Sequence, residues 1–211
     1  MVTFELEIRR NIRTIQDYPK KGITFKDLTT LWKNGPLARK VTSAFVSRWK
    51  DRKVDKIVGI EARGFIVGAP IADRLGIGFV PARKLGKLPG RKRGVNYELE
   101  YGRQGLEIHL DAISKGDRVL VVDDLLATGG TARAARVLVE KLGGKVLGFA
   151  FVAELSYLKG RERLTGYEIH SLTKYDSEQK PPFRSVVAKR SCTRECWNHG
   201  RGNELTIKRC E

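Results

Sequence analysis

Cysteine is absent from the first 191 residues of this 211-residue chain. Disulfides therefore do not hold its main part together, as is usual for a protein of the reducing cytoplasm. Long hydrophobic runs are lacking too. The longest mainly apolar stretch, residues 146–153, is too short to span a bilayer, and residues 1–10 lack the apolar segment of a secretory signal. These absences predict a soluble cytoplasmic protein without a membrane partner.

Acidic residues are scarce beside basic ones, at 24 against 41, and the formal net charge is +17. Such an excess suits a nucleic-acid-binding protein or an enzyme of polyphosphate substrates. Residues 82–94 contain no acid and alternate their basic residues with Gly and Pro, not with stacking aromatics. This pattern predicts a mobile loop for an anionic small molecule, with a solvated charge run as the alternative. The basic residues there are Arg83, Lys84, Lys87, Arg91, Lys92 and Arg93.

Strand-like and helix-like segments alternate along the chain. Short apolar runs at residues 54–60, 77–82, 118–122 and 146–153 predict buried strands. Helical periodicity covers residues 65–75 and 131–142, each followed by glycine. This alternation predicts an α/β fold with a central, mainly parallel sheet flanked by helices, with ligands at the carboxyl ends of the strands.

The last 35 residues differ in character from the rest. We expect a domain at residues 1–176 and a basic, poorly ordered extension at residues 177–211, which has two adjacent prolines and no sustained period. Four residues of the extension are possible zinc ligands, but their spacing matches neither a Cys-x2-Cys finger nor a zinc knuckle, so metal binding is not expected. They are Cys192, Cys196, His199 and Cys210.

The most informative segment is residues 119–131, VLVVDDLLATGGT. It predicts a buried strand that ends in Asp123 and Asp124, followed by a Gly-rich loop and the start of a helix. Glycines let backbone N–H groups approach an oxyanion, and the helix dipole favours negative charge. The two carboxylates can accept hydrogen bonds from sugar hydroxyls. The segment therefore indicates a site for a ribose 5-phosphate.

This segment resembles the motif with which type I phosphoribosyltransferases bind phosphoribosyl pyrophosphate (PRPP). Four other segments resemble the adenine phosphoribosyltransferase family, and they are residues 15–27 (IQDYPKKGITFKD), 59–65 (GIEARGF), 83–90 (RKLGKLPG) and 97–102 (YELEYG). The resemblance extends from about residue 6 to residue 176. It implies the type I fold with a small N-terminal hood. It also implies purine salvage, in which adenine and PRPP give AMP and pyrophosphate.

The resemblance assigns roles around PRPP. Catalysis would depend on Arg63 and on Glu100 and Tyr101 in a loop that closes over the site, where Glu100 exchanges a proton with the purine. The loop at residues 62–64 often carries a non-proline cis peptide in relatives. Mg²⁺ would be held mainly through PRPP with no direct protein ligand, and a homodimer is implied. PRPP and AMP would bind Asp123, Asp124, Ala127, Thr128, Gly129, Gly130 and Thr131. Pyrophosphate would bind Arg63, Arg83, Lys84 and Lys87.

For the base, the resemblance implies that Phe25 stacks on adenine, that the main chain of Thr24 and Lys26 reads its edge, and that Leu155 covers its other face. Relatives commonly have Arg in place of Lys26. A 6-oxopurine needs a hydrogen-bond donor to O6, which a Lys side chain commonly supplies. Lys26 therefore leaves a 6-oxopurine phosphoribosyltransferase open as an alternative.

A second alternative is a regulator that binds nucleic acid, senses PRPP and uses the same fold. The extension has eight basic and four acidic residues, so residues 1–176 alone still carry +13. Against this alternative, Arg63, Lys87, Glu100 and Phe25 are residues that a sensor does not need. No helix-turn-helix or winged-helix segment precedes the domain. Nucleic acid is therefore not expected as a partner.

Overall fold

The computed structural model describes residues 2–99 and 102–178, with backbone alone for residues 97–99 and 102–103. The predicted catalytic residues Glu100 and Tyr101 lie outside the described residues. So do the four possible zinc ligands of the extension. The predicted boundary after residue 176 remains a prediction.

The described chain contains five α-helices and nine β-strands in mixed order. The helices are α1 (Phe4–Arg10), α2 (Thr29–Trp32), α3 (Gly35–Trp49), α4 (Arg63–Leu75) and α5 (Gly130–Lys141). The strands are β1 (Arg13–Ile15), β2 (Phe25–Asp27), β3 (Lys56–Ile60), β4 (Gly78–Lys84), β5 (Lys92–Leu99), β6 (Gly102–His109), β7 (Arg118–Leu126), β8 (Lys145–Leu155) and β9 (Glu168–Tyr175). Short 3₁₀ helices lie at Lys50–Arg52, Ser156–Leu158 and Gly160–Leu164.

Seven strands form the central sheet in the order β5-β6-β4-β3-β7-β8-β9. The β4-β3-β7-β8-β9 part is parallel, while β6 pairs antiparallel with both β4 and β5. Alternate residues of β7 enter different cores: Leu120 packs in the cluster with α3 and α4, and Val121 packs in the cluster with α5. The sheet is buried on both faces, which confirms the predicted mainly parallel α/β fold.

The strand order reverses between β3 and β7. From β3 the chain continues through α4 to β4 on one side, and from β7 it continues through α5 to β8 on the other. Loops that leave the carboxyl ends of these neighbouring strands diverge and open a crevice, the usual ligand position in such sheets. The segments predicted to bind pyrophosphate and the 5′-phosphate follow β3 and β7 respectively.

The N-terminal hood is a separate two-stranded sheet of β1 and β2, paired antiparallel with Ile15 opposite Phe25 and Thr14 opposite Lys26. Arg13 Nε donates to Asp27 Oδ2 at 3.0 Å, and the backbone N–H of Thr29 donates to Oδ1 at 2.9 Å. These hydrogen bonds lower the pKa of Asp27 to about 2. The hood is therefore fixed by an ion pair as well as by its two short strands.

Two local predictions are corrected. The strand predicted at residues 118–122 continues to Leu126, so Asp123 and Asp124 lie inside β7 and not after its end. The reason is that β8 is long enough to keep pairing as far as Leu126 opposite Glu154. The basic segment is only partly a loop, because Arg83 and Lys84 belong to β4 while Lys92 and Arg93 belong to β5.

No helix in the described part of the chain is both long and apolar enough to traverse a membrane.

Candidate active site

The loop after β7 is held in a narrow space by its neighbours. Gly129, the N-cap of α5, has φ +78°, a conformation that glycine adopts without steric cost. A Cβ there would lie 2.4 Å from the carbonyl oxygen of Gly160. Glycine is thus required both by conformation and by the approach of another backbone. The loop leads directly into the first turn of α5, and the positive end of the helix dipole there favours an anion.

Asp123 and Asp124 are neighbouring carboxylates in a poorly hydrated position. Asp124 is 1% exposed. Burial raises the pKa of both, and the charge of Asp124 raises that of Asp123 further, while the Arg63 guanidinium opposes the rise at each. Arg63 Nε lies 2.8 Å from Asp124 Oδ2, yet this oxygen accepts no hydrogen bond from the described residues. Arg63 and Asp124 thus form an ion pair with a buried carboxylate at the carboxyl end of the sheet.

Arg63 begins α4, directly after the loop that leaves β3. The peptide bond between Glu61 and Ala62 is cis. Gly64 brings the first turn of α4 against β7, since a Cβ there would lie 2.8 Å from Val122 O and 3.0 Å from Asp123 Oδ1. The first turn of α4 is therefore packed closely against β7.

Three of the predicted pyrophosphate residues lie on or after β4. The Arg83 Nε atom donates to Glu61 Oε2 at 3.2 Å, and the backbone N–H of Lys84 donates to the same oxygen at 2.8 Å. Glu61 thus ties β4 to the cis loop, a role that sequence reasoning missed because the two segments are 22 residues apart. Lys87 is exposed in the turn after β4. Glu61 therefore holds Arg83 and Lys84 next to the loop that precedes Arg63.

The predicted base-stacking residue, Phe25, lies in the hood strand β2 and is partly buried. Its ring packs edge-on against Tyr18, with centroids 5.2 Å apart. The guanidinium carbon of Arg63 lies 5.3 Å from the centroid of the Phe25 ring, within cation–π range. Arg63 therefore touches Asp124 on one side and Phe25 on the other. It links the predicted ribose site to the predicted base site.

The side chain of Lys26 lies on the other face of β2 from Phe25, as expected for adjacent strand residues. Its Nζ donates to Thr14 Oγ1 at 3.0 Å and lies 4.4 Å from the centroid of the Tyr175 ring. Burial lowers the pKa of Lys26, and the charge of Arg9 adds to this effect. The Lys26 ammonium group is therefore directed away from the ring on which the base is predicted to stack.

Thr24 is 7% exposed, and its hydroxyl donates to Gln16 Oε1 at 3.0 Å. Its backbone N–H donates to Glu178 Oε1 at 3.1 Å. Thr24 belongs to the main-chain edge that is predicted to read adenine, so Glu178 reaches this edge from the start of the extension. Sequence reasoning missed Glu178, because a contact over 154 residues leaves no local signal.

Leu155, the predicted cover for the base, ends β8 and is 6% exposed. It belongs to the same core cluster as Tyr175, and Tyr157 packs against that cluster. These contacts give Leu155 a place in the core, and its contact with a base remains a prediction.

The chain is similar to known proteins over most of its length. A family model described as "Phosphoribosyl transferase domain" matches residues 27–179. Adenine phosphoribosyltransferase of Desulfitobacterium hafniense is 55% identical over 170 residues, which are 81% of this chain and 98% of that enzyme.

Two solved structures of enzymes with that name are also similar. The one from Thermoanaerobacter pseudethanolicus has 52% identity and a TM-score of 0.79, and the match covers 82% of this chain and 100% of that one. The one from Saccharomyces cerevisiae is a complex with an imino-altritol bisphosphate and adenine. It has 40% identity and a TM-score of 0.77, and the match covers 82% of this chain and 99% of that one. Because it is 55% identical to the Desulfitobacterium hafniense enzyme over 98% of that enzyme, this chain belongs to the adenine phosphoribosyltransferase family.

Proposed function

We propose that this chain transfers the 5-phosphoribosyl group of PRPP to N9 of adenine, which gives AMP and pyrophosphate with inversion at C1′. The observation that carries the proposal is the position of Arg63. Its Nε lies 2.8 Å from Asp124 Oδ2, and its guanidinium carbon lies 5.3 Å from the centroid of Phe25. One side chain thus connects a ribose-type carboxylate with an aromatic ring suited to a purine.

The 5′-phosphate would bind at the start of α5. Gly129, Gly130 and Thr131 would present backbone N–H groups, with Ala127 and Thr128 completing the loop. An anion at a helix N-terminus is stabilised by these donors and by the helix dipole. This site fixes one end of PRPP, so that C1′ lies towards the base-stacking ring.

Asp123 and Asp124 would accept hydrogen bonds from the 2′- and 3′-hydroxyls. Burial raises their pKa in this structure. Positive charge that develops at C1′ as pyrophosphate departs would favour the ionised carboxylates. Their interaction with the sugar would then be stronger in the transition state than in the ground state, which is the condition for catalysis.

Pyrophosphate would be held by Arg63 with Arg83, Lys84 and Lys87. A planar guanidinium can donate two hydrogen bonds to phosphate oxygens. Arg83 is paired with Glu61 here, so it would act next to the cis loop, while the exposed Lys84 and Lys87 would add positive charge. The leaving group would be stabilised by the charge that this basic segment concentrates.

Among the described residues, no group of three or more His, Cys, Asp or Glu side chains could hold a metal by itself. Mg²⁺ would be held mainly through oxygens of PRPP, the ligand type that it prefers, with no direct protein ligand. Its chemistry would be to neutralise charge on the departing pyrophosphate.

Selection of adenine would depend on the main chain of Thr24 and Lys26. The Lys26 side chain donates to Thr14 on the face opposite Phe25, which disfavours it as a donor to O6 of a 6-oxopurine. The position of Lys26 therefore favours the adenine enzyme over the 6-oxopurine alternative.

Glu100 and Tyr101 would close over the bound base and sugar, with Glu100 exchanging a proton with the purine ring. They follow β5, which pairs with β6 from Lys92 opposite His109 to Leu99 opposite Gly102. The homodimer and the cytoplasmic location also belong to this proposal.

Product formation from a panel of bases tests the proposal. The purified chain would be mixed with Mg²⁺, PRPP and one base at a time, which is adenine, hypoxanthine, guanine or xanthine. The proposal predicts AMP from adenine and no nucleotide from the other three. Nucleotide from hypoxanthine or guanine at a comparable rate would establish the 6-oxopurine alternative, and PRPP binding without any product would favour the sensor.

A further inference from the structure

The 3₁₀ segment Gly160–Leu164, far from the PRPP motif in sequence, forms one wall of the predicted phosphate loop. A Cβ at Gly160 would lie 2.2 Å from the carbonyl oxygen of Ala127 and 3.1 Å from the backbone nitrogen of Gly129. The reverse contact is equally close, because a Cβ at Gly129 would lie 2.4 Å from Gly160 O. Two backbones thus touch where no side chain fits between them. Any displacement of Gly160 must be transmitted to the loop or open a gap behind it.

Arg161, the next residue, anchors this segment to the sheet. Its Nε donates to Glu154 Oε1 at 2.5 Å and its Nη2 to Oε2 at 2.7 Å, while Nη1 donates to Ile169 O at 3.3 Å. The paired, parallel hydrogen bonds to one carboxylate fix the direction of the guanidinium as well as its distance. Arg161 therefore sets the position of the Gly160 backbone relative to β8 and β9.

Glu154 is itself rigidly placed. It lies near the end of β8 opposite Leu126 of β7, is 2% exposed, and accepts a hydrogen bond from Ser171 Oγ at 2.7 Å. Burial alone would raise its pKa, but the hydrogen bonds from Arg161 and Ser171 outweigh burial and lower it. The carboxylate is thus held by Ser171 of the neighbouring strand β9 and by Arg161 of the 3₁₀ segment.

We propose that Glu154 and Arg161 are positioning residues for PRPP and AMP. They hold Gly160 against Ala127 and Gly129, and so fix the loop in the shape whose N–H groups bind the 5′-phosphate. This inference rests on the proposed function, since it deepens the phosphate site of that reaction. Neither residue touches the ligand, and their effect passes through one backbone contact.

The test compares two probes that use different parts of the site. Binding of ribose 5-phosphate and of inorganic pyrophosphate to the full chain would be measured by calorimetry for wild type, Glu154→Gln, Arg161→Lys and Gly160→Ala. A displacement of the loop by about 1 Å is expected to lower the affinity for ribose 5-phosphate by roughly tenfold to a hundredfold. Pyrophosphate would be held by the β3 and β4 side of the crevice. The affinity for it should change by less than about twofold, which is the variation seen at distant, independent sites.

Matched controls separate positioning from general damage. Arg163→Lys changes an exposed arginine of the same segment, and Gly35→Ala adds a methyl group where no neighbour lies within 4 Å. Both should bind the two probes as wild type does. Unchanged ribose 5-phosphate affinity in the folded test variants would overturn the proposal. Equal losses for the two probes would also overturn it, because general destabilisation does not select one end of the site.

The conservative changes protect the test against loss of folding, and Gly160→Ala leaves the Glu154–Arg161 pair intact. A wild-type chain that bound ribose 5-phosphate without making AMP would refute the proposed reaction. The affinities of the variants for ribose 5-phosphate and pyrophosphate could still be compared in that case.

Discussion

The two ends of the candidate site are built in different ways. At the phosphate end, backbone meets backbone, since Gly129 and Gly160 approach so closely that neither tolerates a Cβ. At the base end, side chains meet across distant segments: Arg63 lies over Phe25, and Glu178 caps the N–H of Thr24. The phosphate end is framed by long strands of the central sheet, whereas the base end is carried by strands of three residues.

The two ends of the candidate site therefore differ in how much their ligands vary. A phosphate has the same shape in every substrate of this chemistry, and a fixed loop of backbone donors suits it. A base must be distinguished from others, so its site depends on a few main-chain groups in a small hood. We expect substitutions near the phosphate and ribose to affect capture of PRPP, and substitutions in the hood to affect the base alone.

The largest effect is expected at Glu100, which would serve both ends by moving a proton to or from the base as PRPP reacts. Loss of a general acid or base commonly lowers turnover by about 10²- to 10⁴-fold. Glu100→Ala should therefore lower kcat by that order while KM for PRPP changes much less. Steady-state kinetics would show this, with Glu98→Ala as the matched control. Unchanged turnover would remove Glu100 from the mechanism.

The second largest effect should come from the carboxylates of β7. Asp123→Asn together with Asp124→Asn keeps the shape of both side chains but removes two charged acceptors, each worth about 1.5–3 kcal/mol in a hydrogen bond. We expect KM for PRPP to rise by about a hundredfold or more, with KM for adenine changed little. A double variant that captured PRPP normally would show that these residues do not bind the ribose.

A smaller effect, of opposite sign, is expected at the base end. Adenine must compete with Glu178 Oε1 for the main-chain edge at Thr24. Removing a competing hydrogen bond of about 0.5–1.5 kcal/mol corresponds to roughly a two- to tenfold change in the affinity for adenine. Glu178→Ala should accordingly lower KM for adenine by that factor and leave KM for PRPP unaltered. Asp176→Ala, an exposed neighbour, serves as the control, and an unchanged or higher KM for adenine would disprove the competition.

The smallest effect on base choice is expected at Lys26. Its ammonium group contacts Thr14 and Tyr175, away from Phe25, so Lys26→Met should leave the turnover of adenine within about twofold of wild type and should create no turnover of hypoxanthine. Assays of the variant with each base in turn would measure both rates. A larger change in adenine turnover, or a gain of hypoxanthine turnover, would mean that the Lys26 side chain does reach the base.

The strand, loop and helix start at the candidate phosphate end could be predicted from sequence because they are local. The run from Val119 to Thr131 contains strand, carboxylates, glycines and helix start in one unbroken stretch. Even here the end of β7 was placed too early, because its length depends on pairing with β8, which sequence alone does not show. The parallel α/β fold was predictable for the same reason: each strand and helix has its own periodicity.

The supporting contacts could not be predicted. Glu61 with Arg83, Gly160 with Ala127, and Glu178 with Thr24 join segments that only the tertiary fold brings together. The direction of Lys26 also depends on the register of β1 and β2, which is set by a pairing of three residues. Sequence pattern identified which residues could take part in the chemistry, and the fold determined which of them meet.

A crystal structure of the full chain with AMP and pyrophosphate tests the central claim most directly, namely that one site holds phosphate at α5 and purine on Phe25. The account predicts phosphate oxygens about 2.7–3.2 Å from backbone nitrogens of residues 129–131, adenine stacked on Phe25, and Lys26 Nζ still on Thr14 Oγ1. A phosphate bound elsewhere, or a base read by the Lys26 ammonium group, would contradict it.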